Sequence, residues 1–342
     1  MWRGRIARLT FAFAAIALIA LTRPAGAQGV AEFYRGRNVT LVIGFSVGGG
    51  YDLYARLLAR HLGKHIPGQP GIVPQNREGA GSERATLYLY NAAPKDGTVI
   101  GTFSRSMAVA PLLAHAPFDA TRLSWLGSVS SDVSVCMTWH TSPIKTFDDM
   151  LVKPFTMAGL GKEADPDIFA LVLRNVLGAK LKLVSGYPGT SDGTLAMERG
   201  EVNGMCGISW STAKARHADW MKAGKVNMPV QFGLRKEADI PDVPAVTDLV
   251  KGDEQARMVR LILAGQAMAR PYAAPPGIPD ERRRALIAAF DATMKDPEFL
   301  ADAEKAQADV SPVTAGEIDK LLAEVYATPK DIIAMAAKAI VN

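Results

Sequence analysis

The sequence predicts a two-lobed α/β protein with mixed, mainly parallel sheets and a helical C-terminal tail. First, apolar and β-branched runs recur along the chain, and several are followed by a glycine-rich break and then by apolar residues at helical spacing. Strands that alternate with helices in this way are typical of α/β folds. Second, a chain of 342 residues is long enough for two domains rather than one. Third, the segments after residue 279 have helical spacing only.

The predicted elements follow from this pattern in chain order. The first strand covers 39–45, and a three-glycine break separates it from a helix that carries Leu57, Leu58 and Leu62 on one face. Further strands are predicted at 71–76, 98–103, 133–139, 155–158, 181–185, 202–208 and 230–234, and a helix at 82–92. The tail is predicted to form helices at 280–294, 297–308 and 314–339, the last with Thr314 and Glu317 in a capping-box spacing.

The lobe boundaries are predicted from the position of the helical tail. A helical tail after two α/β blocks often returns to brace the first block. We therefore predict one lobe from residues 28–132 together with 265–342, and a second lobe from residues 133–264.

The first 27 residues have the three parts of a secretory signal peptide. Arginines precede an apolar run at 9–21, and Ala25-Gly26-Ala27 supplies small residues at a cleavage site. The apolar run is shorter than the ~20 residues that a membrane-spanning helix needs. We expect cleavage after Ala27 and export of the mature chain to the periplasm.

Charge and cysteine content limit the partners. The net charge of +5 includes four arginines in residues 1–27, which contain no acid, so the mature chain carries a net charge of only +1. We therefore expect no nucleic-acid or membrane-surface partner. Cys136 and Cys206 each lie in an apolar run, and in an oxidising compartment they could form a disulfide; two buried free thiols are the alternative.

Four breaks between predicted strands and helices are rich in glycine. They are Gly48-Gly49-Gly50, Gly79-Ala80-Gly81, Gly159-Leu160-Gly161 and Gly186-Tyr187-Pro188-Gly189. Such loops lie at the carboxyl edge of a parallel sheet, where free amides and the positive ends of helices favour an anion. Simple turn geometry is the alternative explanation for each glycine. Neither nucleotide-binding glycine pattern is met.

Two other motifs in the sequence are typical of different functions. The segment Gly44-Phe45-Ser46-Val47-Gly48 fits the G-x-S-x-G pattern of a hydrolase nucleophile. However, Ser46 follows the first strand of the mature chain, and the last third of the chain contains no histidine. His61 and His65 have the i, i+4 spacing of a chelating pair, but no carboxylate or cysteine lies at ligand spacing on that face, so we expect histidines at the edge of the core and no metal.

Six short motifs occur in the same order as in one known family. The motifs are Phe45-x-x-Gly48-Gly49-x-x-Asp52-x-x-Ala55-Arg56, Asn76-Arg77-x-Gly79-Ala80-Gly81, Pro94-x-Asp96-Gly97, Tyr187-x-Gly189 with Gly200-Glu201-Val202, Ile240-Pro241-Asp242-Val243-Pro244, and Ala274-Pro275-x-Gly277-x-Pro279. In this order the chain resembles the periplasmic solute receptors of tripartite tricarboxylate transporters, the Bug or TctC-type family. The resemblance implies a periplasmic binding protein, or Venus flytrap, that closes on a small carboxylate and delivers it to membrane permease subunits.

The resemblance also implies site residues. Backbone amides of the first loop, at Ser46, Val47, Gly48 and Gly49, would hold the ligand carboxylate partly through water, with Asp52 near the start of the helix. Gly159, Leu160 and Gly161 would form the facing loop of the second lobe. The chain departs from the usual pattern at these loops, with Ser46 and Val47 in place of prolines, Lys162 in place of a hydroxyl residue and Pro188 in place of lysine.

Further candidates come from the residues themselves. Ser104 and Arg105 follow the predicted strand at 98–103, and an arginine at that edge could bind a second carboxylate of the ligand. A solvated surface arginine is the alternative. Aromatic contacts are conceivable from Tyr51, Tyr187 or Trp210. We include Lys162, Tyr187 and Ser209 in the candidate ligand-binding set.

The sequence therefore predicts a periplasmic solute-binding protein without enzymatic activity, metal or cofactor. It is expected to capture a small organic carboxylate by hinge closure, to act as a monomer and to pass the ligand to a permease. Two alternatives stay open at this point. One is a secreted serine hydrolase that uses Ser46, and the other is a periplasmic sensor partner in which closure signals rather than transports.

Overall fold

The computed structural model describes residues 25–341, and the strands among them form two sheets. The first sheet contains β1 (Asn38–Ile43), β2 (Gly71–Asn76), β3 (Val99–Thr102), β4 (Ser124–Ser128), β10 (Pro271–Ala274) and β11 (Val313–Thr314). Their order across the sheet is β11-β4-β10-β3-β1-β2. β1 pairs in parallel with β2 and β3, whereas β10 runs antiparallel to β3 and β4, and β11 runs antiparallel to β4.

The second sheet is built from the middle of the chain. It contains β5 (Ser134–Trp139), β6 (Phe155–Ala158), β7 (Leu181–Val184), β8 (Gly204–Ser209) and β9 (Val226–Phe232). The order is β7-β6-β8-β5-β9, with β6 parallel to β7 and β8, and β5 antiparallel to β8 and β9.

The helices connect and cover the strands. They are α1 (Ala25–Tyr34), α2 (Gly50–His61), α3 (Glu83–Leu87), α4 (Ala110–Leu113), α5 (Phe147–Val152), α6 (Asp165–Asn175), α7 (Thr190–Glu198), α8 (Trp210–Lys222), α9 (Val246–Leu249), α10 (Gly252–Ile262), α11 (Asp280–Thr293), α12 (Pro297–Lys305), α13 (Ala315–Tyr326) and α14 (Lys330–Ala339). Short 3-10 turns occur at Leu62–His65, Ala80–Ser82, Arg105–Ala108, Ala120–Arg122 and Ala264–Met268, and a π turn at Tyr88–Ala92.

The two-lobed α/β architecture with mixed sheets agrees with the sequence prediction, but the expectation of mainly parallel pairing is wrong. Among residues 25–341, four strand pairings are parallel and five are antiparallel. The reason lies in the strands that carry the chain between the sheets. β4 leaves the first sheet, β5 enters the second and β10 returns to the first, and each runs against the strands beside it. The lobe boundaries at 132/133 and 264/265 stay a prediction.

Two further differences concern single elements. The short strands β4, β10 and β11 were not predicted. The predicted tail helix at 314–339 is two helices, because Pro329 precedes α14 and has no N–H to continue α13. The capping box is confirmed: the Thr314 hydroxyl accepts from the Glu317 amide, and the Glu317 carboxylate accepts from the Thr314 amide.

The apolar face of α2 is buried as its spacing predicts. Leu57 and Leu58 are at most 1% exposed and belong to the same core cluster as Leu41 and Ile43 of β1. Burial of one such side chain stabilises the fold by roughly 1.5–3 kcal/mol. This packing anchors α2 on the first sheet, with its N-terminus at the carboxyl end of β1.

A disulfide joins Cys136 of β5 to Cys206 of β8, with the two Cα atoms 3.8 Å apart. Both side chains are fully buried. The register of the two strands shifts between Val135 and Met137, and Gly207 has a φ of +73° beside Cys206. The glycine therefore permits the irregular backbone that accompanies this cross-strand link.

The predicted signal peptide lies outside the described residues up to position 24. The predicted cleavage point after Ala27 falls in the first turn of α1. Among residues 25–341, no helix has the length and apolar character needed to cross a bilayer.

Candidate ligand-binding cleft

Four helices begin at one cleft between the two sheets. The cleft is lined by Gly50 of α2, Asp165 of α6, Thr190 of α7 and Thr212 of α8. Each position lies in the first turn of a helix of nine or more residues. A helix N-terminus carries about +0.5 of a charge, so the four together contribute about +2. The cleft therefore attracts anions before any charged side chain is considered.

Arg105 is buried at the cleft and reaches from the first sheet to the second. Its Nε donates to the Asp165 carboxylate, its Nη2 donates to Ser134 Oγ at 2.6 Å, and the side chain is 2% exposed. Burial is the largest single influence and lowers the pKa of the guanidinium, but the electrostatic interactions with Asp165, Tyr51 and Asp132 together outweigh it, and the net shift of the pKa is upward. Among the described residues its Nη1 finds no hydrogen-bond partner.

Arg270 precedes β10 and lies on the other side of the same cleft. Its Nη1 donates to Ser209 Oγ at 3.0 Å, and its Nη2 donates to Thr212 Oγ1 at 2.8 Å. The guanidinium carbon lies 5.0 Å from the ring centre of Tyr51 and 4.8 Å from that of Tyr54, which are cation–π distances. Arg270 Nε has no hydrogen-bond partner in the part of the chain that the structure describes.

The two guanidinium charges are balanced by nearby carboxylates. Asp165 contacts Arg105, and Asp132 Oδ2 lies 3.9 Å from Arg270 Nη2. The two arginines therefore add little net positive charge to the cleft. The arginines add directed N–H donors, and an unpaired buried donor costs roughly 1–3 kcal/mol until a partner arrives.

The lobes contact each other directly across the cleft. Ser46 Oγ donates to Asp192 Oδ2 at 2.6 Å, and Ser191 Oγ donates to the carbonyl of Val47 at 3.1 Å. The space left in the cleft for the centre of a water molecule is about 20 Å³, which is room for about one water. This is a closed arrangement, and a ligand of several heavy atoms enters only when the lobes separate.

Two glycine loops bind carboxylates of this chain itself. The amides of Leu160 and Gly161 donate to Asp167 Oδ2 in the first turn of α6, and the amide of Gly48 donates to Asp52 Oδ2 in the first turn of α2. Burial raises the pKa of Asp167 in spite of these bonds. The carboxylates of Asp52 and Asp167 thus occupy the positions at these amides where a bound anion was expected.

The predicted site residues divide into three groups. Ser104, Arg105, Leu160 and Ser209 line the cleft. The segment from Ser46 to Gly49, with Gly159 and Gly161, lies at its rim. Gly49 faces Thr190 at the start of α7, and Gly161 approaches Gly81 in the 3-10 turn at Ala80–Ser82.

Three predicted residues lie apart from the cleft lining. The Asp52 carboxylate is used by Gly48, Arg56 and Asn76 within its own neighbourhood. The Lys162 side chain is 71% exposed and pairs with Glu163 at 3.0 Å. Tyr187 is half-buried. For these residues a ligand contact stays a prediction.

Sequence reasoning missed several residues that line the cleft, above all Arg270, Asp165, Thr190 and Thr212. No local motif marks Arg270, because the side chains that accept its hydrogen bonds lie 58 to 61 positions away in the chain. The sequence did contain a signal that carboxylates of the chain itself would occupy the glycine loops. Asp52, Asp167 and Asp192 each stand in the first helical turn after a glycine loop.

The Ser46 hydroxyl donates to a carboxylate, that of Asp192. Within residues 25–341, no histidine hydrogen-bonds to Ser46. A serine nucleophile needs a base that removes its proton and is itself held by a third group. This arrangement lacks the histidine of that triad.

Two α/β lobes, each built on an open sheet and separated by a polar cleft, are typical of the periplasmic solute-binding class of protein. The fold matches that of the periplasmic binding protein BugD, with a TM-score of 0.69 and 21% identity over 89% of this chain and 97% of that one. It also matches MatC from Rhodopseudomonas palustris with bound malate, with a TM-score of 0.68 and 20% identity over 87% of this chain and 99% of that one.

The family model described as the tripartite tricarboxylate transporter family receptor, TctC, matches residues 54–337, and the chain belongs to this family. A relative from Cupriavidus necator, the "UPF0065 protein in gbd 5'region", is 25% identical over 340 residues, which are 97% of this chain and 96% of the relative. The family and fold are those of periplasmic solute-binding proteins. The family match begins at Tyr54, after the first glycine loop.

Proposed function

We propose that the protein captures a small organic carboxylate by hinge closure and delivers it to the permease of a tripartite tricarboxylate-type transporter. The observation that carries the proposal is the pair of buried arginines at four helix N-termini. Within residues 25–341, Arg105 Nη1 and Arg270 Nε each lack a hydrogen-bond partner. A ligand carboxylate that accepts from these donors removes their desolvation penalty. The malate bound to MatC, a member of the same fold, supports a carboxylate ligand.

Closure follows from the way in which both arginines bridge the lobes. Each guanidinium extends from the first sheet and contacts side chains at the ends of second-sheet strands, such as Ser209 and Ser134. An anion held between them makes its full set of contacts only when the lobes are together. Its higher affinity for the closed form therefore shifts the population from open to closed.

The remaining roles complete the proposal. Ser104 and Ser209 offer hydroxyls to the ligand, and the Ser46–Gly49 and Gly159–Gly161 segments form the closing rims. The chain is exported after cleavage behind Ala27, acts as a monomer, and uses no cofactor. The permease recognises the surface of the closed receptor, so it does not bind receptors that carry no ligand.

The proposal is tested by thermal melting of the mature protein against mono-, di- and tricarboxylates and neutral analogues. An acid at about 100 times its dissociation constant stabilises the fold by roughly 2.7 kcal/mol, which shifts the melting midpoint visibly. Arg270→Gln removes a charged donor, so we expect about tenfold to hundredfold weaker binding. The exposed Arg122→Gln is the matched control and should bind normally.

Two outcomes contradict the proposal. One is that no acid in the panel shifts the midpoint. The other is that Arg270→Gln, with an unchanged circular dichroism spectrum, binds the acid as tightly as the unaltered protein does.

A further inference from the structure

A cluster of metal-ligating side chains lies at the C-terminal end of α2, away from the ligand cleft. His61 ends α2, and eleven residues at 1.5 Å each separate it from Gly50 at the cleft, a distance of roughly 16 Å. The carboxylates that were missing from the sequence argument come from α12 and its N-cap. They are Asp296, Glu298 and Asp302.

The donor atoms of this cluster converge. One ligand atom each from His61, Asp296 and Glu298 lie within 4.8 Å of one another. His65 Nε2 lies 2.8 Å from Asp296 Oδ2, and His61 Nε2 lies 2.9 Å from Asp302 Oδ2. Each imidazole thus has a ring nitrogen within hydrogen-bond distance of a carboxylate of this cluster.

A cationic group already occupies the space between two of the carboxylates. Lys64 Nζ lies 2.6 Å from Asp296 Oδ2 and 2.5 Å from Glu298 Oε2. The Lys64 side chain is 37% exposed, and the Asp296 side chain is 6% exposed. The ammonium therefore marks a built cation position, and its flexible stem can leave that position for solvent.

We propose that this cluster binds a divalent transition metal, with Zn²⁺ as the ion of best fit, and thereby ties α2 to α12. His61, Asp296 and Glu298 are the first three ligands, and His65 beside Asp296 supplies the fourth. Mixed imidazole and carboxylate ligands suit zinc, with bonds of about 2.0–2.2 Å. Bonds of that length draw the four donors closer together than they now lie. Lys64 has to swing out as the ion enters.

The experiment measures Zn²⁺ binding to the tag-free mature protein by equilibrium dialysis and by competition with a chromophoric chelator. We expect one equivalent of zinc and a higher melting midpoint with the metal. His65→Ala should weaken binding at least tenfold, and His61→Ala should do the same. The exposed His140→Ala is the matched control, for which we expect no change.

A further variant separates a metal site from a network of ion pairs. Lys64→Met removes the competing ammonium and leaves every ligand in place, so zinc should bind more tightly than it does to the unaltered protein. The His65 side chain is 25% exposed, so His65→Ala is expected to fold even if the more buried His61→Ala does not.

Three results overturn the proposal. The first is that the unaltered protein binds no zinc at micromolar concentrations, which leaves an ion-pair network only. His65→Ala, if folded, could keep the full affinity. Finally, Lys64→Met could bind zinc no better than the unaltered protein.

Discussion

Gly161 lies where the two lobes meet, and a single added methyl group there tests the closed arrangement. A Cβ at this position would lie 2.4 Å from the Gly81 amide nitrogen and 2.6 Å from the Ala80 carbonyl carbon. Both atoms belong to the backbone of the opposite lobe, so they cannot move aside as a flexible side chain would. Gly161→Ala should therefore hold the lobes apart.

The magnitude follows from these distances. An ordinary contact between heavy atoms is about 3.5 Å, so the lobes have to separate locally by about 1 Å. The Ser46–Asp192 hydrogen bond of 2.6 Å and the Arg105–Asp165 ion pair cross the same gap. Loss of one charge-assisted hydrogen bond costs about 2 kcal/mol, which corresponds to about 30-fold weaker ligand binding.

The assay is calorimetric titration with the acid that the melting screen identifies, together with small-angle X-ray scattering with and without that acid. Gly186→Ala is the matched control, because Gly186 also has a positive φ, +113° against +149° at Gly161, and no atom of the described residues lies within 4 Å of the added Cβ. Both variants carry backbone strain, but only Gly161→Ala obstructs closure. If Gly161→Ala binds as tightly and compacts as fully as the control, the reasoning is refuted.

Three other expectations concern stability. The mature protein purified without reductant should weigh about 2 Da less than its reduced form, and equal masses would contradict the disulfide. The Cys136–Cys206 bond closes a loop of 70 residues, so its reduction should lower the free energy of unfolding, measured by chemical denaturation, by roughly 4 kcal/mol. Burial lowers the pKa of His217 to about 4, so the unfolded state alone takes up a proton between pH 6.5 and 4. Unfolding free energy should therefore fall across that window by up to about 3 kcal/mol relative to His217→Gln, and parallel pH profiles of the two proteins would contradict this. Thr314→Ala removes the capping box of α13 and should lower unfolding free energy by about 1 kcal/mol, with an unchanged value as the contrary result.

Local patterns predicted most of the strands and helices. The run that became β1 and the apolar face of α2 could be identified because their periodicity is set by residues a few positions apart. β4, β10 and β11 were missed because they are short and pair antiparallel with strands distant in sequence. Their formation depends on the tertiary fold rather than on their own residues.

The candidate site also contains residues that the local sequence predicts and residues that only the tertiary fold brings to the cleft. Arg105 could be placed at the cleft because it follows a predicted strand, at the carboxyl edge of the sheet. Arg270 could not, since the side chains that hold it come from β8 and α8. The glycine loops were identified as anion sites, but an aspartate in the next helical turn fills two of them.

The central claim is that the two lobes close on a carboxylate that is held between Arg105 and Arg270. The most direct measurement is a crystal structure of the mature protein with the acid that stabilises it most. The account predicts a carboxylate between the lobes, with oxygens about 3 Å from Arg105 Nη1 or Arg270 Nε. An acid bound elsewhere, or bound in the cleft without contact to either guanidinium, would contradict the account.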